Sequence, residues 1–189
     1  MSQNNAISRS DRVLFVALAI VLVTVSATLG AAMSSAPKSP IVAAQPQGDH
    51  DIVLAQLVAE HRCLTEALYY EARGEGRMGE QAVAEVVFHR MSAGKYGHSI
   101  CAVVYEGSSH RGCQFSFTCN GDLSRPREAR AWQKSEQLAA QILTGEAPLH
   151  DATFGATNYH AVSVRPHWAP TLLKTAHIGN HIFYRTRES

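Results

Sequence analysis

The sequence predicts an α+β domain, mainly helical with a small antiparallel sheet, preceded by an N-terminal transmembrane helix. Three observations support this prediction: an apolar run without charges at residues 13–33, apolar residues at helical spacing between residues 53 and 145, and short strand-like segments near the C-terminus. Helices early in the chain and strands late are typical of folds in which a small sheet is segregated from the helices.

The N-terminal apolar run extends from Val13 to Met33 and contains no charged residue. A helix needs about 20 such residues to cross the core of a bilayer. Arg9 and Arg12 precede the run, and the positive-inside rule then leaves the N-terminus in the cytoplasm. We therefore expect residues 1–12 to be cytoplasmic and the chain after the anchor to lie on the periplasmic or extracytoplasmic side of the inner membrane.

A cleaved signal peptide is the main alternative, with small residues at 30–32 or 34–36 as cleavage sites and secretion as the result. A buried core helix is the third reading, and the unbroken apolar circumference disfavours it. Residues 34–50 are rich in Pro, Ser, Ala and Gln and predict a flexible linker. The folded domain is then expected at residues 51–187.

Composition narrows the class of protein and its compartment. The chain has 189 residues, enough for one domain, and its formal net charge of +1 argues against a nucleic-acid partner. An even number of cysteines fits two disulfides in an oxidising compartment, and their positions are Cys63, Cys101, Cys113 and Cys119. Pairing Cys113 with Cys119 and Cys63 with Cys101 is one of three arrangements. Four reduced thiols and a zinc site are the alternatives, although no C-x2-C spacing favours zinc.

Apolar residues at helical spacing, among them Val53 and Leu57, predict one long helix or two abutting ones from about residue 53 to residue 73. Asp51 is the expected N-cap, and Gly74 and Gly76 are expected to end the helix. Further helices are predicted at about 79–92, at about 99–105, and from a cap at Ser124 to Gly145.

The C-terminal part of the chain predicts strands. Residues 157–160 are strand-like, and residues 174–185 contain two short strand patterns separated by Gly179 and Asn180. A Gly-Asn pair between strands is a signal for a two-residue hairpin turn. Residues 108–122, between the helical segments, predict a loop or an irregular extended segment.

Glu71 is the candidate catalytic residue that the sequence pattern indicates. On a helix it lies one turn from Ala67 and Leu68 and two turns from Leu64, which places a carboxylate on the apolar face. The helix carbonyls at the C-terminal end and partial burial both disfavour its anion. A raised pKa lets a carboxylic acid keep its proton near neutrality and donate it to a leaving oxygen.

A structural ion pair is the alternative for Glu71, with Arg73, Arg90 or another cation as partner. The two neighbouring glutamates on this segment carry no such anomaly in the pattern. Glu66 is expected to point away from the apolar face, and Glu75 lies beyond Gly74.

The segment around Glu71 belongs to a set of motifs. The run from Cys63 to Met91 reads CLTEALYYEARGEGRMGEQAVAEVVFHRM, with E-A-R-G-E at its centre. It closely resembles the SleB/CwlJ-type cell-wall hydrolase family, named after spore-cortex-lytic enzymes. Further matches follow in the family's order: residues 99–105 (SICAVVY), 113–121 (CQFSFTCNG), 158–160 (NYH), 166–168 (PHW) and 178–184 (IGNHIFY). His89 stands where the family usually has Asn, and Asn120 where Asp often precedes Gly.

The resemblance implies a lysozyme-like domain that cleaves peptidoglycan between N-acetylmuramic acid and N-acetylglucosamine, often as a lytic transglycosylase. It also implies that Glu71 is the catalytic acid, the residue that the helical pattern singles out. Such an enzyme needs one carboxyl group that acts first as acid and then as base, and we predict no cofactor and no metal. Glu75 is the candidate second carboxylate for a hydrolytic route, and a solvated loop charge is its other interpretation.

Five residues are candidates for binding the glycan. Gln114, Ser116, Tyr159 and His160 carry groups that suit hydrogen bonds to N-acetyl and hydroxyl groups, and the rings of Tyr159 and Trp168 suit stacking on sugars. Each has a structural alternative. Tyr159 and Trp168 can be packing residues, His160 can satisfy a strand carbonyl, and Gln114 and Ser116 can shape the loop between two cysteines.

Two other functions compete with glycan cleavage. His160, His167, His177 and His181 prompt a zinc-dependent peptidoglycan amidase or peptidase, and His177 and His181 have the spacing of a helical metal pair. Gly179 and Asn180 between them indicate a hairpin instead. The other rival is a non-catalytic, membrane-tethered glycan-binding module. The expected partners are peptidoglycan strands and the membrane, and the sequence is silent on protein partners.

Overall fold

The computed structural model describes residues 48–109 and 112–187. The predicted cytoplasmic N-terminus, the anchor at 13–33 and all but the last residues of the linker lie outside these ranges. Within them, no helix combines the length and the apolar character that a membrane crossing requires.

Helix α1 is one continuous helix, Asp49–Ala72, that starts after Gly48 and not at a cap on Asp51. Its second half forms the centre of the core, where Leu64 and Leu68 are fully buried. Val53 and Leu57, two of the apolar residues whose spacing predicted this helix, lie within it but are 54% and 57% exposed. Residues 49–59 are all exposed, and burial begins only at residue 60, where α1 meets its neighbours.

Helix α2, Gly76–Ala93, follows α1 after a tight turn. Gly74 adopts a positive φ of 97°, and the Glu75 N–H donates to the carbonyl of Ala72 at 2.9 Å. This turn lets α2 begin three residues before the predicted start. Helix α2 packs into the core through one face, on which Ala82, Val83, Val86, Val87 and Arg90 are buried.

Two more helices complete the helical part. Helix α3, Ile100–Val104, is short, and its N-cap Ser99 accepts a hydrogen bond from the N–H of Ala102 at 3.1 Å. Helix α4, Ala129–Leu143, starts five residues after the predicted cap at Ser124, which instead ends a 3-10 turn, Asp122–Ser124. Glu128 caps α4, because its carboxylate accepts from the first free N–H groups of the helix.

The sheet has three antiparallel strands in the order β1-β3-β2: β1 is Asn158–Ala161, β2 is Leu173–Ile178 and β3 is His181–Arg185. The predicted hairpin at Gly179 and Asn180 joins β2 to β3. In the register of β1 and β3, Tyr159 lies opposite Phe183. Phe183 is fully buried and packs with Val86 of α2, so this face of the sheet is the one that meets the helices.

The two disulfides pair Cys63 with Cys101 and Cys113 with Cys119. The first joins α1 to α3. The second closes a small loop that contains the buried residues Phe115 and Phe117. The mixed, helix-rich fold with a small antiparallel sheet therefore agrees with the fold class expected from the sequence.

We expect the two disulfides to differ in their contribution to stability. Their closed loops span 38 and 6 residues, and chain entropy then gives about 4 kcal/mol for Cys63–Cys101 against about 2 kcal/mol for Cys113–Cys119. Urea unfolding of the Cys63→Ala/Cys101→Ala and Cys113→Ala/Cys119→Ala double variants measures both. Equal losses, or a greater loss from the small loop, would contradict this ranking.

Candidate active site

Glu71 lies in the last turn of α1 and is half-buried. Its neighbours on the same helical face, Ala67 and Leu68, are fully buried. The carboxyl group therefore leaves the core at the point where the helix ends. This is the position that the helical pattern predicted.

Tyr159 of β1 reaches Glu71 across 88 residues of sequence. Its hydroxyl donates a hydrogen bond to Glu71 Oε2 at 3.0 Å. The ring packs with His181, at 5.3 Å between centroids, and with Phe183, at 5.6 Å, on the face of the sheet that meets the helices. The sheet thus holds the tyrosine hydroxyl against the acid.

Burial raises the pKa of Glu71 above its ordinary value. The hydrogen bond from Tyr159 and the charge of Arg90 act in the opposite direction, and the negative charge of Asp122 adds to the rise. Burial outweighs the opposing contributions, so the pKa is raised. A carboxyl group in this environment retains its proton at higher pH than an exposed glutamate does.

The structure does not support the alternative interpretation of Glu71 as a member of a buried ion pair. In the described ranges no cation lies within 4 Å of its carboxylate. The Arg73 guanidinium donates to the hydroxyl of Tyr69 at 2.9 Å. Arg90 is buried, donates to the carbonyl of Thr157 at 2.8 Å, and influences Glu71 only through its charge.

Glu66 lies about one and a half turns before Glu71, and the prediction that it points away from the apolar face is wrong. It is 1% exposed and does not point away from the core. Arg62 and Arg127 lie 3.1 and 3.7 Å from its carboxylate, and the Tyr105 hydroxyl donates to it at 2.5 Å. Helix α1 therefore buries two carboxyl groups, of which Glu66 is neutralised by cations and Glu71 is not.

Glu75 lies in the α1–α2 turn, accessible to solvent, and has a partner in the hairpin. Its carboxylate accepts hydrogen bonds from the Asn180 backbone N–H at 2.7 Å and from the Asn180 side-chain amide at 2.9 Å. The backbone hydrogen bond is the main reason why the pKa of Glu75 is lowered. The group is thus held as an anion that fastens the α1–α2 turn to the β2–β3 hairpin.

Asp122 is a carboxylate near the site that sequence reasoning missed. Its negative charge contributes to the raised pKa of Glu71. Arg125 lies 2.7 Å from its carboxylate, and the Asn120 side-chain amide donates to it at 2.7 Å. The signal in the sequence was the motif position at Asn120, where the family often has Asp; here a carboxylate stands two residues later.

A pocket of about 190 Å³ adjoins the end of α1 on the side of Asp122. Its walls include Tyr70, whose hydroxyl donates to the main-chain carbonyl of Asp122 at 3.3 Å, and Arg73. The ring of Tyr70 stacks on buried Phe117 at 4.7 Å between centroids. Gln114 and Ser116 lie on either side of Phe115 in the loop between Cys113 and Cys119, and both are exposed.

His160 and Trp168 lie on the opposite face of the sheet from Tyr159. Successive residues of a strand point to opposite faces, and His160 follows Tyr159. Its Nδ1 donates to the Ala161 carbonyl at 2.8 Å, so Nε2 accepts from the Tyr184 hydroxyl at 3.0 Å. The ring of Trp168 contacts both His160 and Tyr184. The structure therefore brings Tyr159, but neither of these two residues, to Glu71.

Of the histidines that prompted the zinc alternative, His160, His177 and His181 lie on strands and His167 lies in a turn. His177 is in β2 and His181 is in β3, so they do not form a helical i, i+4 pair. In residues 48–109 and 112–187, no group of three or more histidine, cysteine, aspartate or glutamate side chains is arranged to hold a metal ion.

Comparison with known proteins identifies the relatives of this domain. The family model described as Cell Wall Hydrolase matches residues 74–184, a range that includes Tyr159 and starts three residues after Glu71. No curated protein matches the sequence.

Two solved structures have a similar fold. The catalytic domain of the germination-specific lytic transglycosylase SleB from Bacillus anthracis is 22% identical, with a TM-score of 0.53 over 67% of this chain and 93% of that one. The catalytic domain of the Bacillus cereus SleB protein is 23% identical, with a TM-score of 0.50 over 67% of this chain and 89% of that one.

We expect Glu71→Gln to stabilise the protein at neutral pH. Because the folded pKa of Glu71 is raised, ionising it costs stability as the pH rises from its unfolded pKa through its folded pKa. Glutamine removes that cost. The variant should have a higher Tm than the parent at pH 7, and the difference should vanish at about pH 4, where the unfolded carboxyl is also protonated.

Thermal unfolding of both proteins across this pH range tests the expectation. Glu146→Gln is the matched control, because Glu146 is exposed. A Glu71→Gln variant that is less stable than the parent at pH 7, or equally stabilised at every pH, would contradict the uncompensated burial of Glu71.

Proposed function

Because this chain belongs to the Cell Wall Hydrolase family, we propose that it cleaves the glycan strands of peptidoglycan between N-acetylmuramic acid and N-acetylglucosamine, as a lytic transglycosylase with Glu71 as its acid and base. The observation that carries the proposal is the half-buried Glu71 carboxyl, which has no cation beside it among the described residues and is bound by the Tyr159 hydroxyl. The Bacillus anthracis SleB domain, which has a similar fold, is a lytic transglycosylase and agrees with the proposal.

The first step is protonation of the glycosidic oxygen by Glu71. The bond between that oxygen and C1 of the muramic acid breaks, and an oxocarbenium-like state forms on the sugar. Because the pKa of Glu71 is raised, its carboxyl group can still carry the proton that it donates near neutral pH. Once the proton has left, Tyr159 keeps donating its hydrogen bond to the carboxylate and limits the cost of the buried negative charge.

The second step uses the same carboxylate as a base. It removes the proton from the C6 hydroxyl of the muramic acid while O6 bonds to C1, which closes a 1,6-anhydro ring and returns the proton to Glu71. No water is consumed. One acid/base group is therefore enough for the whole reaction.

The two nearest candidates for a second carboxylate are both held by other partners. Glu75 accepts two hydrogen bonds from Asn180. Asp122 is bound by Arg125 and by the side chain of Asn120. Because both carboxylates are bound by other side chains, transglycosylation is favoured over hydrolysis, which would need a second carboxylate that is free to activate water.

The other candidate glycan contacts remain proposals. Gln114 and Ser116 are exposed on the segment whose buried Phe117 stacks on Tyr70, and we propose that they meet the N-acetyl and hydroxyl groups of the strand. His160 and Trp168 line or adjoin a separate pocket of about 500 Å³ on the outer face of the sheet, where they would contact only a strand that extends around the domain.

We also propose a location. The apolar run at residues 13–33, with Arg9 and Arg12 before it, fits a single-pass anchor in the inner membrane. The domain would then act on the periplasmic or extracytoplasmic side, and it would be secreted if the segment is cleaved. The two disulfides support an oxidising compartment.

Glu71→Gln should lower the rate of glycan cleavage by a factor of about 10²–10⁴, the usual contribution of a general acid. The parent enzyme should release muropeptides with 1,6-anhydro ends, which are one water lighter than hydrolysed ends. Mass spectrometry of digested sacculi measures both the rate and the product. The control Glu146→Gln should match the parent. A Glu71→Gln variant as active as the parent would refute the role of Glu71, and reducing ends would refute transglycosylation.

Tyr159→Phe should shift the pH profile. The hydrogen bond from Tyr159 lowers the pKa of Glu71, so its loss raises that pKa further. Activity depends on protonated Glu71 and falls as the pH rises through its pKa, and the basic limb should therefore move to higher pH while kcat decreases. Tyr184→Phe removes a hydroxyl from the other face of the sheet and should leave the limb in place. An unmoved limb in Tyr159→Phe would contradict the proposed role of this hydrogen bond.

A further inference from the structure

A third, larger pocket lies between the α1–α2 turn and the start of α4. Its volume is about 610 Å³, and its charged lining residues are Arg73, Glu80, Glu128, Arg130 and Lys134. We call this pocket the basic groove. A neighbouring pocket of about 290 Å³ shares Glu80 and Lys134 with it and adds Arg77.

The two carboxylates of the basic groove are occupied by partners on α4. Glu128 accepts from the backbone N–H groups of Arg130 and Ala131 at 3.0 and 2.6 Å. Glu80 accepts from the Ser135 hydroxyl at 2.8 Å. These hydrogen bonds involve backbone and hydroxyl donors and not the cationic side chains of the groove, of which Arg73 donates to the Tyr69 hydroxyl at 2.9 Å.

The cations of the groove lie near its two carboxylates without direct ion-pair contact: the charges of Arg130 and Arg73 act on Glu128, and that of Lys134 acts on Glu80. Across the described ranges, Arg73, Arg130 and Lys134 have no carboxylate within 4 Å. Arg130 and Lys134 are four residues apart on α4 and therefore lie on one side of that helix. Arg73 faces them from the end of α1. With three cations and two carboxylates, the groove has a surplus of positive charge before Arg77 is counted.

The groove is close to the proposed acid. Arg73 is two residues after Glu71 and lines both the basic groove and the 190 Å³ pocket beside Asp122. Residues two positions apart on a helix, such as Glu71 and Arg73, point in directions that differ by about 200° around the helix axis. The groove and Glu71 therefore lie on different sides of the end of α1, and the helix is about 10 Å wide. An extended peptide of three or four residues spans about 10–14 Å. Such a peptide, attached to a sugar at Glu71, is long enough to reach the cations.

We propose that the basic groove binds the carboxylates of the stem peptides that muramic acid carries, so that the enzyme prefers peptide-bearing glycan to glycan stripped of its peptides. This inference rests on the proposed function and adds a specificity site to it. Stem peptides are short, acidic and attached next to the scissile bond. Arginine binds carboxylates through a planar pair of N–H donors, and lysine does so as a point charge.

The test compares two substrates: intact sacculi, and the same sacculi after an amidase has removed the stem peptides. The full chain should cleave intact sacculi faster. In Arg130→Gln/Lys134→Gln, the ratio of the two rates should fall about tenfold. The control, Lys95→Gln/Lys174→Gln, removes two positive charges elsewhere on the domain and should keep the parent's ratio. Thermal unfolding checks that both double variants are folded.

The outcomes separate the two proposals. If the parent cleaves neither substrate, the proposed function fails. If it cleaves both and the ratio is the same in the parent and in Arg130→Gln/Lys134→Gln, only the basic groove proposal fails. An equal fall of the ratio in the control would also overturn it, because the effect would then come from net charge and not from the groove.

Direct binding provides a second measurement that does not depend on turnover. A free stem tripeptide with unblocked carboxylates should bind the Glu71→Gln full chain, and its amidated form should bind at least tenfold more weakly. Calorimetry measures both. Inorganic phosphate at the same concentration should not displace the peptide. Displacement by phosphate, or equal binding of the amidated peptide, would show a general anion site and contradict the proposal.

Discussion

The hydrogen bond between Tyr159 and Glu71 joins the sheet to the end of the central helix, and the proposed mechanism depends on it. Burial of a carboxyl group is unfavourable for its anion, and a protein usually offsets this with cations. Glu66 has that compensation from Arg62 and Arg127. Glu71, on the same helix, accepts a hydrogen bond from the neutral Tyr159 hydroxyl and has no cation within 4 Å among residues 48–109 and 112–187. The contrast separates a carboxylate with a structural role from the one that we propose transfers a proton.

The sheet is placed by polar contacts at several points. Arg90 of α2 donates to the carbonyl of Thr157, just before β1. His89 Nδ1 lies 3.0 Å from the Ala156 carbonyl, and its Nε2 lies 3.2 Å from the Asp151 carboxylate. His89, which departs from the family pattern, therefore holds the segment that leads into the first strand. Together with buried Phe183, these contacts determine where the Tyr159 hydroxyl lies, so residues outside the site control its geometry.

Local patterns made the helices, the hairpin and Glu71 predictable, because helical spacing, turn residues and a carboxylate on an apolar face are all visible within a few residues of sequence. What the sequence could not predict depends on partners that are distant in the chain. Glu66 is buried because Arg127 and Tyr105 fold onto it, and Glu75 is held by Asn180, 105 residues later. The start of α4 was missed because the long side chain of Glu128 caps the helix in place of Ser124.

Gly179 shows how far the constraints on this site extend. It adopts a φ of 55°, and a Cβ atom there would collide with the carboxylate of Glu75. A side chain at this position would have to adopt a left-handed backbone conformation and displace the Glu75 carboxylate from Asn180, which would weaken the contact between the α1–α2 turn and the hairpin. In a saturation screen scored for growth or lysis, this glycine should therefore tolerate few replacements, although glycine has no side-chain group that could react. Intolerance to substitution in such a screen therefore cannot be used by itself to map the cleft.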